Sequence, residues 1–281
     1  MLGADDLVVT ASTLGHPPFR TLVEAAAAGG FAGLSIWPRE TYQAALESGL
    51  RPAELRRVLE DNGVVVNDLD AVFCSGDPTD PGAGGMGAHA EAQLFEAGEE
   101  LGASFINSVI MASHPLGVEQ GAEVFAGVCD RAAEHGLRAY LEFVPFMSVP
   151  DAATAWAIVQ GTERPDSGVM VDSWHCFRGA TRDQDLRAIP GERILGIQLN
   201  DAPEVPMPNM LEETLHHRLV PGEGDIDLVG LMRLLDEIGS PAPRCVEVFS
   251  DALLREGTPS EIAVRVGDAI RAIRARAREV A

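Results

Sequence analysis

The chain alternates along its whole length between short apolar runs and longer helical segments. Eight apolar runs have the length and composition of β-strands: Leu7–Thr13, Gly33–Trp37, Val64–Asp68, Phe105–Ile110, Leu137–Glu142, Gly168–Asp172, Ile194–Asn200 and Arg244–Val248. The helical segments lie between them: Thr21–Ala28, Pro52–Asn62, Ala90–Leu101, Glu119–His135, Pro150–Gln160, Leu228–Ile238 and Pro259–Arg278. Several of these segments end at a glycine, which commonly stops a helix before a strand: Gly63, Gly102, Gly136 and Gly239. Such alternation is typical of repeated βα units, whose strands form a parallel sheet.

The number of these units and the length of the chain favour a closed barrel. A barrel of eight βα units is typically about 250 residues long. This chain has 281 residues with 46% hydrophobic content, which is enough to bury one large core. No Gly-x-Gly-x-x-Gly motif follows the first run, which weakens the alternative of a doubly wound dinucleotide-binding fold. We therefore predict an α/β fold, a single (β/α)8 TIM barrel, that spans residues 1–281 as one domain.

The charge of the chain argues against nucleic acid as a partner. The formal net charge at neutral pH is −22, whereas binding to a phosphate backbone depends on Lys and Arg side chains that displace counterions. The 21 lysine and arginine residues are all arginine. Schiff-base aldolase chemistry and the attachment of pyridoxal phosphate both need a lysine amine, so the sequence excludes both.

Neither the cysteines nor the apolar runs indicate secretion or a membrane. The cysteines are scattered without a Cys-x-x-Cys pair, which favours reduced thiols over a disulfide framework: Cys74, Cys129, Cys176 and Cys245. The chain begins Met-Leu-Gly-Ala-Asp-Asp, which lacks the pattern of a signal peptide. No apolar run approaches the length of about 18 residues that a membrane-spanning helix needs. We therefore expect a cytoplasmic protein that has no membrane partner.

Oxygen-bearing side chains stand where four consecutive predicted strands end: Glu142, Asp172, Gln198 and Glu247. The C-terminal ends of parallel strands in a barrel open onto one face, so these side chains are expected to converge. Carboxylate and amide oxygens are hard ligands that suit Mn²⁺ or Mg²⁺, with Co²⁺ and Zn²⁺ as alternatives. The cation would also offset the repulsion between the carboxylates. One such acid alone is better explained as a helix cap or a salt-bridge partner, but four in consecutive units indicate a metal site.

Two predicted connections are long for a compact domain. Ser75–Gly87 is rich in Gly, Pro and Asp and follows the third strand, and Asp201–Asp227 follows the seventh. Both leave from strand C-termini, the face where barrel enzymes keep their catalytic residues. The alternative interpretation is that both are plain solvent-exposed loops.

Five short motifs together resemble the xylose isomerase-like TIM barrel superfamily: Leu-Glu-Phe, Asp-Ser-Trp-His, Gln-Leu-Asn-Asp, Pro-Gly-Glu-Gly-Asp-Ile-Asp and Val-Glu-Val. This superfamily includes sugar phosphate isomerases and epimerases, inosose dehydratase, 3-dehydroshikimate dehydratase and AP endonuclease. The resemblance runs along nearly the whole chain and is strongest from Tyr140 to Ser250. It implies that the four oxygen-bearing residues are metal ligands and that His175 and Arg218 lie beside the substrate.

The resemblance also bears on individual residues. Gln198 stands where several members, commonly the ketose epimerases, use histidine, and an amide at this place is also seen among the dehydratases. His175 has three candidate roles, which are proton transfer, a hydrogen bond to a substrate hydroxyl and metal ligation, with a buried structural histidine as the alternative. Arg218 offers a planar fork for a carboxylate, phosphate or enolate oxygen.

Trp37 and His217 complete the predicted substrate site. Trp37 follows the second strand and is placed to give an apolar wall to a sugar-like ring, with simple packing as the alternative. His217 adjoins Arg218, and with His216 the three residues indicate the edge of an active site rather than a solvated patch.

These residues together predict a metal-dependent enzyme. A divalent ion that binds a carbonyl and its neighbouring hydroxyl stabilises the enediolate formed when Glu142 or Glu247 removes a proton. Our first expectation is an isomerase or epimerase of a small polyhydroxylated carbonyl compound, and the alternative is a dehydratase of the 3-dehydroshikimate or inosose type. An AP endonuclease-like enzyme and a non-catalytic barrel are remote alternatives. A homo-oligomer is left open because no sequence feature fixes a subunit surface.

Overall fold

The computed structural model of the chain describes residues 1–75, 88–112 and 116–279. All of the predicted loop Ser75–Gly87 except its first residue therefore lies outside the described residues. The strands are β1 (Leu7–Thr10), β2 (Gly33–Ile36), β3 (Val65–Cys74), β4 (Phe105–Ile110), β5 (Arg138–Glu142), β6 (Gly168–Asp172), β7 (Ile194–Leu199) and β8 (Arg244–Val246). Each strand pairs in parallel with the next, and β8 pairs with β1, so that the sheet closes. The predicted (β/α)8 TIM barrel is confirmed.

Helices surround the barrel and connect its strands. In the described parts of the chain they are α1 (Phe19–Ala28), α2 (Ala44–Glu47), α3 (Pro52–Asn62), α4 (Ala88–Leu101), α5 (Val118–Glu134), α6 (Ala152–Gly161), α7 (Ser173–Arg178), α8 (Asp183–Arg187), α9 (Met210–His216), α10 (Leu228–Ile238), α11 (Asp251–Leu254) and α12 (Pro259–Arg278). The chain leaves α3 at Gly63 and α10 at Gly239, with φ angles of 65° and 79°. Glycine adopts this left-handed conformation without steric cost, which explains why both helices end there.

The two strands that fall furthest short of their predicted lengths are β1 and β8, and side-chain hydroxyl groups make hydrogen bonds just beyond the end of each. β1 ends at Thr10, whose Oγ1 lies 2.8 Å from Ser12 Oγ and 2.9 Å from Thr13 Oγ1. These bonds accompany a 3-10 turn in place of further strand. β8 ends at Val246, and the N–H of Val248 donates to Thr13 Oγ1 at 2.8 Å instead of to a neighbouring strand. Side-chain oxygens have taken over hydrogen bonds that the strand ladder would otherwise make.

β3 is longer than predicted and contains an irregularity. It runs to Cys74 instead of ending at Asp68 because it pairs with β4 on both sides of a register shift between Leu69 and Val72. A bulge of this kind bends a strand and re-aims the side chains next to it. Asp70, which lies inside the shift, is only 7% exposed.

A packed apolar layer fills the barrel from its N-terminal side. This layer consists of Phe105, Tyr140, Met170 and Leu195, which occupy the first, third, third and second positions of their strands. The opposite end of each of these strands is therefore the one at which polar side chains gather. A much larger apolar cluster lies between the barrel and its helices and includes Leu22, Leu34, Ile106, Val171 and Leu235.

The predicted loop Asp201–Asp227 is an ordered connection that contains helix α9. The buried carboxylate of Asp201 accepts hydrogen bonds from the N–H groups of Gly222 at 2.8 Å and Ile226 at 3.0 Å. A Cβ at Gly224 would overlap Asp201 Oδ1, so that position needs glycine. The interpretation of this segment as a plain exposed loop is wrong.

Within the residues that the structure describes, no helix has the length and apolar character needed to cross a membrane.

The close approach of β6 and β7 at Gly168 makes a prediction about stability. A Cβ at Gly168 would overlap the carbonyl oxygen of Arg193 and lie 2.5 Å from Leu195 Cγ. Gly168→Ala should therefore lower the free energy of unfolding by roughly 1–3 kcal/mol, measured by urea denaturation. Gly127→Ala is the matched control, because Gly127 lies inside α5 and a Cβ there meets only the flexible Arg131 side chain. The control should raise stability by about 0.5–1 kcal/mol, and equal effects of the two substitutions would contradict this account.

Candidate active site

The four oxygen-bearing residues lie at the C-terminal ends of four neighbouring strands. Glu142 and Asp172 are the last residues of β5 and β6, Gln198 is the fifth residue of β7, and Glu247 directly follows β8. The strand register places Asp172 opposite Gln198. Each of the four residues is 7% exposed or less. The barrel therefore brings together the residues that the sequence pattern selected.

Hydrogen bonds join these residues into one cluster with His175 and Arg218. Glu142 Oε1 lies 3.0 Å from His175 Nε2. Gln198 Nε2 donates to Glu247 Oε1 at 3.0 Å. Arg218 Nη1 donates both to Asp172 Oδ2 at 2.9 Å and to Glu247 Oε2 at 3.0 Å. The Arg218 guanidinium therefore links Asp172, at the end of β6, with Glu247, directly after β8.

Asp172 both caps a helix and takes part in the cluster. It is the N-cap of α7, and its Oδ1 accepts from the backbone N–H of His175 at 3.0 Å. A carboxylate at this position satisfies an otherwise unpaired N–H and interacts favourably with the positive end of the helix. The same bond fixes the backbone that carries the His175 side chain, so Asp172 is a helix cap and a member of the cluster at once.

Helix α9 brings Arg218 into the site. Thr214 Oγ1, on α9, accepts from Arg218 Nε at 3.1 Å and from Nη2 at 2.7 Å. The buried Glu213 holds α9 against α7 because it accepts from Trp174 Nε1 at 2.9 Å and from Arg178 Nε at 2.7 Å. The Trp174 ring also lies 5.7 Å from the Arg218 guanidinium carbon. These contacts hold the arginine in one position.

The cluster contains more acidic groups than Arg218 alone could balance if all of them were ionised. Burial, together with repulsion from Glu142, raises the pKa of Asp70 to about 7. Burial also raises the pKa of Glu247 well above its usual range, since the attraction of Arg218 only partly offsets burial and the neighbouring acids. Burial acts in the same direction on Asp172, but Arg218 and then His175 hold the pKa of Asp172 below its usual value. Only one of these three acids is thus kept in its charged form by its neighbours.

The donor atoms fit a divalent cation. Ligand atoms of Glu142, Asp172 and His175 lie within 4.8 Å of one another. The amide nitrogen of Gln198 is hydrogen-bonded, whereas its Oε1 is buried without a hydrogen-bond partner. A buried amide oxygen that accepts no hydrogen bond is costly unless something else occupies it. Carboxylate and amide oxygens, with one imidazole nearby, suit Mg²⁺ or Mn²⁺ and also admit zinc.

A pocket of about 560 Å³, partly open to solvent, lies above the cluster. Its polar lining is Asp70, Glu142, His175, Thr214, Arg218 and Glu247, and its apolar lining is Trp37, Ala71, Phe73, Val109, Val144, Phe146, Met147, Leu211, Leu215 and Phe249. Trp37 therefore stands where the sequence predicted. The structure does not place His217 in the lining, because its side chain is 48% exposed and lies 3.7 Å from Glu212.

Sequence reasoning missed several polar residues that touch the cluster, among them Asp70 and Asn107. Asn107 is fully buried in β4, and its Nδ2 donates to Asp70 Oδ1 at 2.8 Å and to Glu142 Oε2 at 2.5 Å. Both residues lie in strand-like stretches that contain other polar residues, Asn67 and Asp68 before Asp70 and Ser108 after Asn107, so the sequence alone did not single them out. Asp70 escaped notice because the predicted third strand stopped before it, at Asp68.

Comparison with known proteins gives consistent results. A family model described as xylose isomerase-like TIM barrel matches residues 23–275. 3-Dehydroshikimate dehydratase from Pseudomonas aeruginosa is 28% identical over 250 residues, which cover 87% of this chain and 38% of that protein. Inosose isomerase from Bacillus subtilis is 26% identical over 163 residues, 56% of this chain and 58% of that protein. The chain thus spans less than two thirds of the length of either relative. A crystal structure of the IOLI protein with a zinc atom aligns over 98% of this chain and 100% of that chain, with a TM-score of 0.83 and 19% identity.

Arg218 should be essential for stability, because its guanidinium compensates buried acids. Arg218→Met should lower the free energy of unfolding of the cation-free protein by about 3–5 kcal/mol, measured by urea denaturation. The folded-state pKa of Asp172 lies below its usual value of 3.8, so this carboxylate contributes stability above that pH and loses it in acid. The deficit of the variant should therefore shrink as the pH falls below 3.8 and through the lower folded-state pKa of Asp172.

Thr214→Val is the control for Arg218→Met, because it removes only the hydroxyl that accepts from Arg218. It should cost on the order of 1 kcal/mol. A deficit in Arg218→Met that stays constant across this pH range would contradict the assigned role.

Proposed function

This chain belongs to the xylose isomerase-like TIM barrel family, and we propose that it is a divalent-metal-dependent enzyme that removes a proton beside a carbonyl group. The observation that carries the proposal is the buried cluster at the ends of β5 to β8, where acidic groups outnumber the one arginine that balances them. The known relatives reported above are a dehydratase and an isomerase, which supports an enzyme of this kind.

We assign Glu142, Asp172, Gln198 and Glu247 as the residues that would hold the cation, with His175 close enough to join them. Mn²⁺ or Mg²⁺ fits the preponderance of oxygen donors, and Co²⁺ and Zn²⁺ remain alternatives. When bound, the cation would supply positive charge that stabilises the negative oxygen formed as a carbonyl compound loses its α-proton.

The protein's own residues provide two groups that handle protons, at opposite sides of the cluster. Glu247 lies between Gln198 and Arg218, and burial raises its pKa, so it is a stronger base when ionised than a solvated carboxylate. Glu142 lies between Asn107 and His175. Glu247 would therefore take the α-proton, while the His175–Glu142 pair would deliver a proton to a second atom of the substrate.

Among the reactions that begin in this way, we favour dehydration. The base takes the α-proton, the C–H electrons form a carbon–carbon double bond, and the β-hydroxyl departs as water with a proton from His175. Two observations favour this outcome over the isomerisation or epimerisation expected first from the sequence. The dehydratase relative matches 87% of this chain, whereas the isomerase relative matches 56%. The amide Gln198 is also the ligand that the family resemblance connects with dehydratases.

The lining of the pocket supports a small cyclic substrate. Arg218 lies on the polar side of this lining, where its Nη1 is bound to Asp172 and Glu247. The apolar walls suit the carbon face of a ring, with its oxygens directed to the polar floor. We therefore propose a cyclic hydroxy-ketone such as 3-dehydroshikimate as the substrate.

Isomerisation or epimerisation remains the second candidate. Glu142 and Glu247 lie at opposite sides of the cluster, so one can remove a proton and the other can return one to a different face or carbon. The match to inosose isomerase supports this alternative. Removal of the α-proton is common to both candidates, so the same residues serve either reaction.

Mass spectrometry in heavy water separates these candidates. The Mn²⁺-loaded protein is incubated with 3-dehydroshikimate, inososes and ketoses, and the products are weighed. Loss of one water from 3-dehydroshikimate is the expected result. Deuterium uptake without loss of water would instead establish the isomerase or epimerase, and no change in any compound would contradict both candidates.

Glu247 should be essential for turnover. Glu247→Gln keeps the size of the side chain but cannot accept a proton, so kcat on the substrate found above should fall by about 10²–10⁴-fold. Glu91→Gln is the matched control, because Glu91 is a buried glutamate on α4 that pairs with Arg131. Circular dichroism spectra and the control's kcat should match the wild type. A Glu247→Gln variant that retains a tenth or more of the activity would contradict the assignment.

A further inference from the structure

Asp70 lies between two amide side chains that each also hold a glutamate of the cluster. Its Oδ1 accepts from Asn107 Nδ2 at 2.8 Å, and its Oδ2 accepts from Gln198 Nε2 at 3.4 Å. Asn107 Nδ2 also donates to Glu142 Oε2, and Gln198 Nε2 also donates to Glu247 Oε1. The five side chains form a continuous hydrogen-bonded row across the barrel, which we call the amide brace: Glu142, Asn107, Asp70, Gln198 and Glu247.

The amide brace is inside the protein. Its members are between 0% and 7% exposed, so water does not compete strongly for these hydrogen bonds. Asp70 comes from β3 and Asn107 from β4, whereas the proposed ligands come from β5 to β8 or directly after it. The brace therefore links the half of the barrel that contributes no proposed ligand to the half that does.

The brace determines which atom of Gln198 is free. An amide group offers an oxygen that can bind a cation and an NH₂ group that cannot. Asp70 and Glu247 both accept from the nitrogen, and the oxygen remains without a hydrogen-bond partner. Because Asp70 and Glu247 accept from Gln198 Nε2, Gln198 Oε1 points away from these acids and is available to bind a cation.

The brace acts on Glu142 in a similar way. Asn107 occupies Glu142 Oε2, so Oε1 is the oxygen that faces His175. Asn107 is itself oriented by Asp70, because the ionised carboxylate has no hydrogen to donate and accepts from the NH₂ group of Asn107. One carboxylate on β3 thereby influences two of the proposed ligands.

We infer that Asp70 is a positioning residue for the divalent cation, because it orients Gln198 directly and Glu142 through Asn107. This inference rests on the cation site proposed above. Asp70 acts through hydrogen bonds to the ligand side chains, as groups around metal ligands commonly do. Its loss should therefore weaken cation binding in a protein that keeps its fold.

Mn²⁺ titration, followed by the electron paramagnetic resonance signal of free Mn²⁺, tests this inference on the intact chain. Asp70→Asn keeps the shape of the side chain but replaces one acceptor oxygen by an NH₂ donor, so residue 70 can no longer accept from both Gln198 and Asn107. The Kd for Mn²⁺ should rise by about 10- to 100-fold. Circular dichroism and the melting temperature without the cation show whether the variant is folded.

Asp68→Asn is the matched control for loss of a buried carboxylate on β3. Asp68 is 3% exposed and accepts from Asn67 Nδ2 at 2.7 Å. This control should change the Kd by no more than about twofold. A rise as large as that in Asp70→Asn would show a general charge effect and would overturn the positioning role.

A double-mutant cycle with Gln198→Glu distinguishes orientation from charge. A carboxylate at residue 198 presents equivalent oxygens and needs no orientation, so Asp70→Asn should cost about threefold or less in that background. An equal cost in both backgrounds would overturn the inference. If Asp70→Asn does not fold, Asn107→Leu removes the other donor of the brace and should weaken Mn²⁺ binding in the same way.

The wild-type titration separates the two proposals. A wild type that binds no Mn²⁺ overturns the cation site and the inference together. A wild type that binds Mn²⁺ as tightly as Asp70→Asn leaves the cation site standing and overturns the role of Asp70 alone.

Discussion

The accumulation of buried acid at the C-terminal end of the barrel is the constraint on which the rest of the site depends. Carboxyl groups of Asp70, Glu142, Asp172 and Glu247 lie within one hydrogen-bonded group around the guanidinium of Arg218. Repulsion and burial both oppose the ionised forms, which is why the pKa values of Asp70 and Glu247 are raised. Protonation, Arg218 and a bound cation are three ways to relieve the same excess of charge, and they compete with one another. In the proposed function, this competition would connect metal binding to proton transfer.

The surrounding structure is organised to hold these charges in place. Asp172 ends β6 and begins α7, so one carboxylate fixes a strand end, a helix start and a site residue together. The connection after β7 contains α9, which Glu213 fastens to α7 and which delivers Arg218. The amide nitrogens of Asn107 and Gln198 donate hydrogen bonds to Glu142 and Glu247, respectively. Few of these side chains are free to adopt another rotamer, which is the preorganisation that catalysis by charged groups requires.

In the proposed function, the choice between dehydration and isomerisation depends on the pocket above the cluster. Both reactions begin with loss of an α-proton, and they differ in whether a proton donor reaches a β-hydroxyl or a carbon. His175 lies beside Glu142 at one side of the pocket floor, and apolar side chains such as Trp37, Phe146 and Leu215 bound the space above it. The substrate's orientation against these walls decides which of its atoms lies next to His175. The apolar lining residues would therefore determine the reaction type, whereas the acidic residues beneath them would carry out the first step.

Local patterns in the sequence were enough to predict the barrel and to identify the four oxygen-bearing residues at its strand ends. Apolar runs that alternate with helices specify βα units, and a polar residue at the end of such a run falls at the same edge of the sheet.

The other residues of the site are recognised only from contacts in the folded protein. Asp70 entered the site through a register shift in β3, which no local period reveals, and Asn107 acquired its role from contacts made across strands. His217 adjoins Arg218 in sequence yet lies outside the pocket lining. Helix α9 ends at His216, and in the segment that follows His217 is exposed whereas Arg218 is buried. Neighbours in sequence diverge and distant residues converge because closure of the barrel, not chain order, sets which side chains meet.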